Sequence, residues 1–469
     1  MTSPDALTLP SPRLLRRLRG ELAATVELAV PIALTQLGQV AMMTTDLALI
    51  GRLGDRAVAA AALAHTVLFS AFMLCLGLAS AVTPLASQAV GARNPRIVRR
   101  SVRVGLWGVL LMGAPLTLLQ LHGGALLAAL GQEPEVAALA DRYLDGLAWS
   151  VVPSCWFIAL RNFMGAVDRP QPALWITLMA IPANALLAYA LIFGAFGLPS
   201  LDLFGAGLAT TIVNLGMCAA SLAICHTRRP FRKFHVLGRL WRPDWQLLGK
   251  LAVIGLPISG TFLLEYSLFA AAALLMGWIG TAALVGHQIA LQVAAVVFMV
   301  PLGIGMAATV RVGHAAGRRD PAGARRAGFL AIVLGIVFMS AMALLVATFR
   351  EVIPLLFLGE DADAHTRALT QMLLLLGATF FIADGVQTIA AGALRGLNDT
   401  RIPLLLSAGS FWLVGFVTCY LLGFTLHLGA PGVWIGLSIG IAVYAVLLVW
   451  RFHALMRRGY LPETPGPQT

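Results

Sequence analysis

Between Lys250 and Arg311 run sixty residues, Leu251–Val310, that carry a single charged side chain, Glu265. The segment GLPISGTFLLEYSLFAAAALLMG is long enough to cross a bilayer with that acid near its middle. A carboxylate at such a depth costs about 2.5–3.5 kcal/mol even on insertion scales, so its default reading is functional. Two further acids lie well inside apolar stretches, Asp46 and Asp384. Gln387 and Thr388 follow Asp384 by three and four residues, which puts the three on one helical face. Thr261 precedes Glu265 by four in the same way. No lysine or arginine falls in the middle of any apolar stretch to pair with these acids. An unpaired carboxylate in hydrocarbon must be protonated or meet a cation. The chemistry this pattern can do is cation exchange, at a site whose charge is completed by something mobile.

Other side chains are weaker candidates. Asp46 lies near Gly51 and Arg52, where a solvated acid at a span end competes with a cation site. Glu265 and Asp384 each have a competing role as protonated, hydrogen-bonded packing groups. Asn184 in IPANALLAY and Thr210 in GLATT can satisfy a neighbouring backbone or take part in a site. His65, His287 and His314 read as packing or interfacial groups, and Gln288 as a residue lining a cleft. Met42, Met43, Met299 and Met306 suit an apolar lining that adapts to varied hydrophobic cations, because methionine repacks easily.

Positioning such groups falls to membrane helices. Hydrophobic residues make up 59% of the 469 residues and charged ones 12%, with mean hydropathy +0.85. Apolar runs of full span length recur from end to end, continuous rather than alternating, which indicates an all-α polytopic membrane protein and excludes a β-barrel. We place twelve spans at 23–50, 58–88, 102–130, 136–165, 171–197, 205–226, 248–276, 282–312, 324–348, 367–396, 401–426 and 430–455.

The net charge of +12 then sorts by side: 28 basic residues border one face and 5 the other. By the positive-inside rule both termini are cytoplasmic, and the charge reports topology and headgroup attraction rather than nucleic-acid binding. Residues 1–20 are polar and basic, so no cleavable signal is expected. The five cysteines sit in apolar helices as small buried hydrophobes. The sequon at Asn398 falls in a cytoplasmic loop.

Sliding the chain by 226 residues uncovers a repeat. Pro31 falls on Pro257, Thr35 on Thr261, Gly51 on Gly277 and Gly77 on Gly303. Gly91, Arg93 and Pro95 fall on Gly317, Arg319 and Pro321. Further on, MGAVDRPQP (164–172) resembles RGLNDTRIP (395–403), with Asp168 over Asp399. Two parallel six-helix lobes follow, since six is even. We expect a tail at 1–22, an N-lobe at 23–226, a basic linker at 227–247, a C-lobe at 248–455 and a tail at 456–469. Prolines inside spans, at positions 31, 84, 153, 182, 257 and 301, can kink their helices. Gly432, Gly436 and Gly440 form a close-packing face in the last span. The GLSIG there matches a hydrolase motif, but a membrane helix lacks the strand-to-helix turn that motif requires.

The segments PIALTQLGQVAMMTTDLALIGRLG, GLPISGTFLLEYSLF, ALVGHQIALQ and FIADGVQTIAAGALRGLNDTRIP resemble the multidrug and toxic compound extrusion (MATE) family, NorM-type branch. The resemblance covers about 20–455. It implies a two-lobed secondary antiporter with a central cleft, exporting organic cations and amphipathic drugs in exchange for Na⁺ or H⁺. It implies that Glu265 and Asp384 form the cation site of the C-lobe, binding Na⁺ if sodium is the coupling ion. Asp46, with Asn184 and Thr210, would form the acidic site of the N-lobe, and Pro31 the bendable proline of the first helix. Asn184, Thr210, Gln288, Gln39 and Met43 are expected in the substrate cleft. No prosthetic group is expected beyond the coupling ion, and the expected state is a monomer in the inner (plasma) membrane.

Three other functions fit the sequence less well. A lipid-linked oligosaccharide flippase would carry a polyanion and so needs basic residues in mid-span. A membrane-embedded enzyme needs a metal cluster or paired acids on adjacent turns. A channel is poorly served by two lobes built to move. The chain is therefore read as a transporter and not as an enzyme.

Overall fold

The structure is a computed structural model of the chain that describes residues 12–129, 131–197, 199–238, 240–242, 244–359 and 363–462. Parts of both expected tails, and Arg239 of the linker, lie outside the described residues, as do the side chains of Arg13, Arg16 and Arg17. Twelve helices among the described residues are long and apolar enough to cross a membrane.

The first half runs α1 (Pro12–Gly51), α2 (Asp55–Ser80), α3 (Val82–Gly91), α4 (Pro95–Gln120) and the short α5 (Gly123–Ala129). It continues with α6 (Pro134–Leu147), α7 (Val151–Ala166), α8 (Gln171–Phe193) and α9 (Asp202–Thr227). The second half holds α10 (Trp245–Ile279), α11 (Thr281–Gly317), α12 (Pro321–Thr348), the short α13 (Val352–Leu358) and α14 (Ala364–Gly396). It ends with α15 (Arg401–Ala408), α16 (Val417–Tyr420) and α17 (Gly429–Arg457), and the backbone beside α16 winds as π-helix over Gly409–Phe416 and Leu421–Thr425.

The third predicted span divides at Leu121–His122 into α4 and α5, and two others break where a proline explains the position. The second span divides at Ala81 into α2 and α3, and the fourth at Ala148–Ser150 into α6 and α7. Pro84 and Pro153 stand in the first turns of α3 and α7, where a missing N–H costs nothing. Pro31, Pro182, Pro257 and Pro301 lie inside continuous helices. Pro31 and Pro257 are handled alike: the hydroxyls of Thr35 and Thr261 donate to the proline carbonyl one turn back, at 2.7 and 3.0 Å.

The repeat appears as an approximate two-fold relation between the lobes. Gly77 packs on Ser259 and Gly303 on Ala33, and both pairs are related by the same 226-residue offset. Gly91 meets the backbone of His314, while Gly317 meets that of Gln88. Ser87 and Gly313, themselves 226 apart, touch each other at the centre. Small residues allow such close contact, which suits a membrane interior where packing replaces the hydrophobic drive.

The turns after α7 and α14 correct the alignment by one residue. Asp168 and Asn398 both adopt positive φ, 57° and 59°. Their N–H groups donate to the carbonyls three residues back, Gly165 and Arg395. Asp168 therefore matches Asn398 rather than Asp399.

The cores do not follow the sequence boundaries. Leu28, Ala29 and Ile32 of α1 belong to the C-lobe core. Leu247, Leu251, Ile254 and Ile258 of α10 belong to the N-lobe core. Each lobe's first helix thus begins in the opposite lobe, with its proline near the crossing.

Candidate functional site

Glu265 on α10 and Asp384 on α14 come together through Gln387. The Gln387 amide donates to Glu265 Oε1 at 2.7 Å and to Asp384 Oδ1 at 2.9 Å. All three line a cavity of about 560 Å³ between the lobes, with Thr388 beside them. Asp384 is 5% exposed. The three-residue spacing from Asp384 to Gln387 carries the geometry, because it sets the amide on the acid's own helical face.

The expectation that no basic residue accompanies the acids is wrong. Arg161 and Arg395 both line this cavity. Each stands near the end of its helix, α7 or α14, so a count of basic residues by span assigns them to loops. Arg395 lies over the Phe262 ring, 5.0 Å from its centroid, and interacts electrostatically with Glu265. Arg161 is 5% exposed and donates from Nη1 to Gln36 Oε1 at 2.5 Å and to Gln39 Oε1 at 3.2 Å. Two acids on the C-lobe wall therefore face a cavity that also holds two guanidinium groups.

Gln39, Met43, Met299 and Met306 line the cavity. Five other candidates do not. Met42 is 7% exposed, inside the N-lobe core. Gln288 is exposed outside the lining, because its neighbour His287 takes the inward position, against Trp434 with ring centroids 5.7 Å apart. Asn184 and Thr210 lie behind the wall rather than on it, because α8 and α9 reach Asp46 inside the N-lobe. There Asn184 Nδ2 donates to Asp46 Oδ1 at 2.5 Å and the Thr210 hydroxyl to Oδ2 at 3.1 Å. Asp46 is 9% exposed and does not line the cavity. The buried Asn184 Oδ1 has no hydrogen-bond partner among the described residues, so that cluster offers a carboxylate, a hydroxyl and an amide oxygen.

At the basic end the lobes are joined by reciprocal bonds. Gln88 Nε2 donates to the Gly396 carbonyl at 2.9 Å, and Asn398 Nδ2 donates to Gln88 Oε1 at 3.0 Å. At the position 226 residues on, His314 Nε2 meets the Ala166 carbonyl at 2.8 Å, and Nδ1 lies 3.6 Å from Asp168 Oδ2. Each arm thus grips the turn of the opposite lobe at equivalent atoms. Arg311 adds an ion pair with Glu21 at 2.5 Å. Away from this seal Met43, on the cavity lining, is 57% exposed.

A two-lobed, twelve-helix membrane protein with acids on an inter-lobe cavity is a transport protein by class. A family model, MatE, matches residues 31–190 and 257–421, two matches that begin 226 residues apart (257 − 31). The chain is 64% identical over 440 residues to a Rhodopseudomonas palustris protein named "Probable multidrug resistance protein NorM", covering 94% of this chain and 93% of that one. It is 60% identical over 442 residues to the Bradyrhizobium diazoefficiens protein of the same name, covering 94% and 95%. The chain belongs to the MatE family. Among solved structures, the fold is similar to the eukaryotic MATE transporter AtDTX14, with TM-score 0.83, 22% identity, and 94% and 98% of the two chains covered. A MATE structure described as being in the straight conformation has TM-score 0.83, 20% identity, and 96% and 99% coverage.

Proposed function

We propose that this protein is a secondary multidrug efflux antiporter of the inner membrane, exporting cationic and amphipathic drugs in exchange for Na⁺ or H⁺. Its near relatives carry a multidrug resistance name, which supports the substrate class. The observation that carries the reading is the bridged pair Glu265–Gln387–Asp384 on the wall of the cavity. Two carboxylates bridged by one neutral amide keep two negative charges, and Arg395 offsets one of them. The remaining charge is completed by a proton, a sodium ion or a cationic drug. Carboxylate oxygens suit Na⁺, and an apolar surrounding favours the protonated form, so the same pair serves either ion.

Coupling follows from mutual exclusion. A cation on the acids removes the charge that attracts a drug, and each occupant favours a different arrangement of the lobes. Alternating access then consists of opening the seal made by Gln88 and His314 while the opposite end closes. α1 and α10 cross between the cores near Pro31 and Pro257, which makes these prolines the pivots. Asp46, with Asn184 and Thr210, is a second protonation or cation site inside the N-lobe. The arginine-rich face and both termini are cytoplasmic, the protein acts as a monomer, and no prosthetic group is required.

The flippase alternative is not favoured. The two cavity arginines that would suit a polyanion are matched by two acids, and the near relatives carry a multidrug name. Dye efflux from proteoliposomes under an imposed Na⁺ gradient, and then under an imposed pH gradient, tests the proposal. Efflux driven by one gradient identifies the ion, and efflux driven by neither sinks antiport.

A further inference from the structure

α8 and α9 meet at one end and part at the other. Near the arginine-poor face the Leu201 N–H donates to the Leu191 carbonyl at 2.9 Å, and a Cβ on Gly205 would lie 2.5 Å from that same oxygen. Toward the basic face the two helices leave a groove of about 700 Å³ on the outside of the N-lobe. Its lining includes the small residues Ala180, Ala183, Gly216 and Ala220, with Trp175 and Met179 also in it. A Cβ on Gly216 would meet nothing within 4 Å, and Trp175 and Met179 are 65% and 71% exposed.

The lining recurs at helical spacing from Gln171 to Leu187 on one side and from Ile212 to Arg228 on the other. Sixteen residues at 1.5 Å each give about 24 Å, enough to seat an extended acyl chain. The groove ends at Gln171 and Arg228. Arg228 is exposed and forms no ion pair among the described residues, and exposed Arg229, Arg232 and Lys233 follow it. The corresponding C-lobe helices also close toward the arginine-poor end, where Gly432, Gly436 and Gly440 of α17 press on Leu422, Cys419 and Gly415.

We propose that this groove binds one anionic phospholipid of the basic-face leaflet. One acyl chain lies between α8 and α9, and the phosphate lies against Arg228 and the Gln171 amide. Charge complementarity selects the headgroup, because an unpaired arginine at the membrane surface attracts anionic lipid. Apolar length selects a chain over a free phosphate. The same two helices carry Asn184 and Thr210 to Asp46, so a chain wedged between them bears on the N-lobe acid. The inference stands independently of the transport proposal.

Native mass spectrometry of the full chain in detergent tests it, with phosphatidylglycerol and phosphatidylcholine of identical acyl chains offered at equal concentration. The wild type is expected to retain several-fold more phosphatidylglycerol. Arg228→Gln is expected to lower it to the phosphatidylcholine level, and Arg228→Lys to keep most of the preference. Gly216→Phe, which fills the groove from an open position, is expected to lower retention of both lipids. Unchanged melting temperatures show that both exposed positions tolerate the change. Equal retention of the two lipids by the wild type overturns the proposal. So does full retention in Gly216→Phe, which places the lipid on the general basic surface instead.

Discussion

Position 39 in the first helix and position 265 in the tenth are one repeat apart, and both side chains face the cavity. In the N-lobe the position is Gln39, and with Gln36 it accepts from Arg161: two amides around a guanidinium. In the C-lobe it is Glu265, and with Asp384 it accepts from Gln387: two carboxylates around an amide. The same scaffold thus builds opposite polarity on its two walls. The N-lobe does own an acid, but Asp46 is turned into the lobe toward Asn184 and Thr210. A duplicated fold fixes where helices run and leaves the charge at each position free to diverge.

The strongest way to break this asymmetry is to remove it. Glu265→Gln with Asp384→Asn makes both walls neutral in their acceptors, and dye efflux from proteoliposomes should fall to the protein-free background. Asp46→Asn should leave measurable efflux, because its site does not touch the cavity. Yields and melting temperatures should match wild type, since the amides keep the volume of the acids. Full efflux in the double variant would end the assignment of the cation site to the C-lobe.

A second test acts on what the lobes share. A Cβ on Gly317 would overlap the Gln88 carbonyl, and one on Gly91 the His314 carbonyl. Leucine at either position forces the lobes apart at the basic face. Overpacking costs about 1–3 kcal/mol, which shifts a two-state balance about 5- to 150-fold. The two variants should slow efflux alike. Unequal losses would show that the seal is less symmetric than its backbone.

A third variant, Gln387→Ala, keeps both acids and removes the bridge. A hydrogen bond to a charged group contributes about 1.5–3 kcal/mol, and 1.4 kcal/mol is about tenfold in affinity. Half-maximal activation by the coupling ion should move about tenfold, with maximal efflux less affected. An unmoved half-maximum would make Gln387 a spectator.

Much of this architecture is legible in the chain. Glu265 and Asp384 stand out because charge is scarce in hydrocarbon and each one needs a reason. The repeat is legible because Gly, Pro and Arg matches at a single offset are not produced by apolar composition. Arg161 and Arg395 were not legible as cavity residues. Each lies within about a turn and a half of its helix end, and only the tilt and crossing of helices decide whether such a side chain meets solvent or the cavity. Nor was the crossing of α1 and α10 into opposite cores, which depends on helix directions that periodicity does not encode. Asn184 and Thr210 were tied to Asp46 by family resemblance alone, since nothing in their spacing brings three helices together. The one-residue shift between Asp168 and Asn398 is a matter of φ, invisible until the turns are built.

The smallest expected effect concerns the two arms of the seal, where the lobes differ in chemistry but not in geometry. Gln88 reaches the Gly396 carbonyl and Asn398; His314 reaches the Ala166 carbonyl and Asp168. If the bond matters and the imidazole does not, His314→Gln rebuilds the missing arm in the image of Gln88. Efflux should then stay within about twofold of wild type, because a neutral amide replaces one bond of about 0.5–1.5 kcal/mol by another. His314→Leu removes the donor and leaves the buried Ala166 carbonyl unpaired, which costs about 1–3 kcal/mol and should slow efflux several-fold. Efflux rates of the two variants in matched proteoliposomes decide between these outcomes. Equal impairment would mean that the seal needs an imidazole, and that the two arms, though placed by one repeat, have taken on separate tasks.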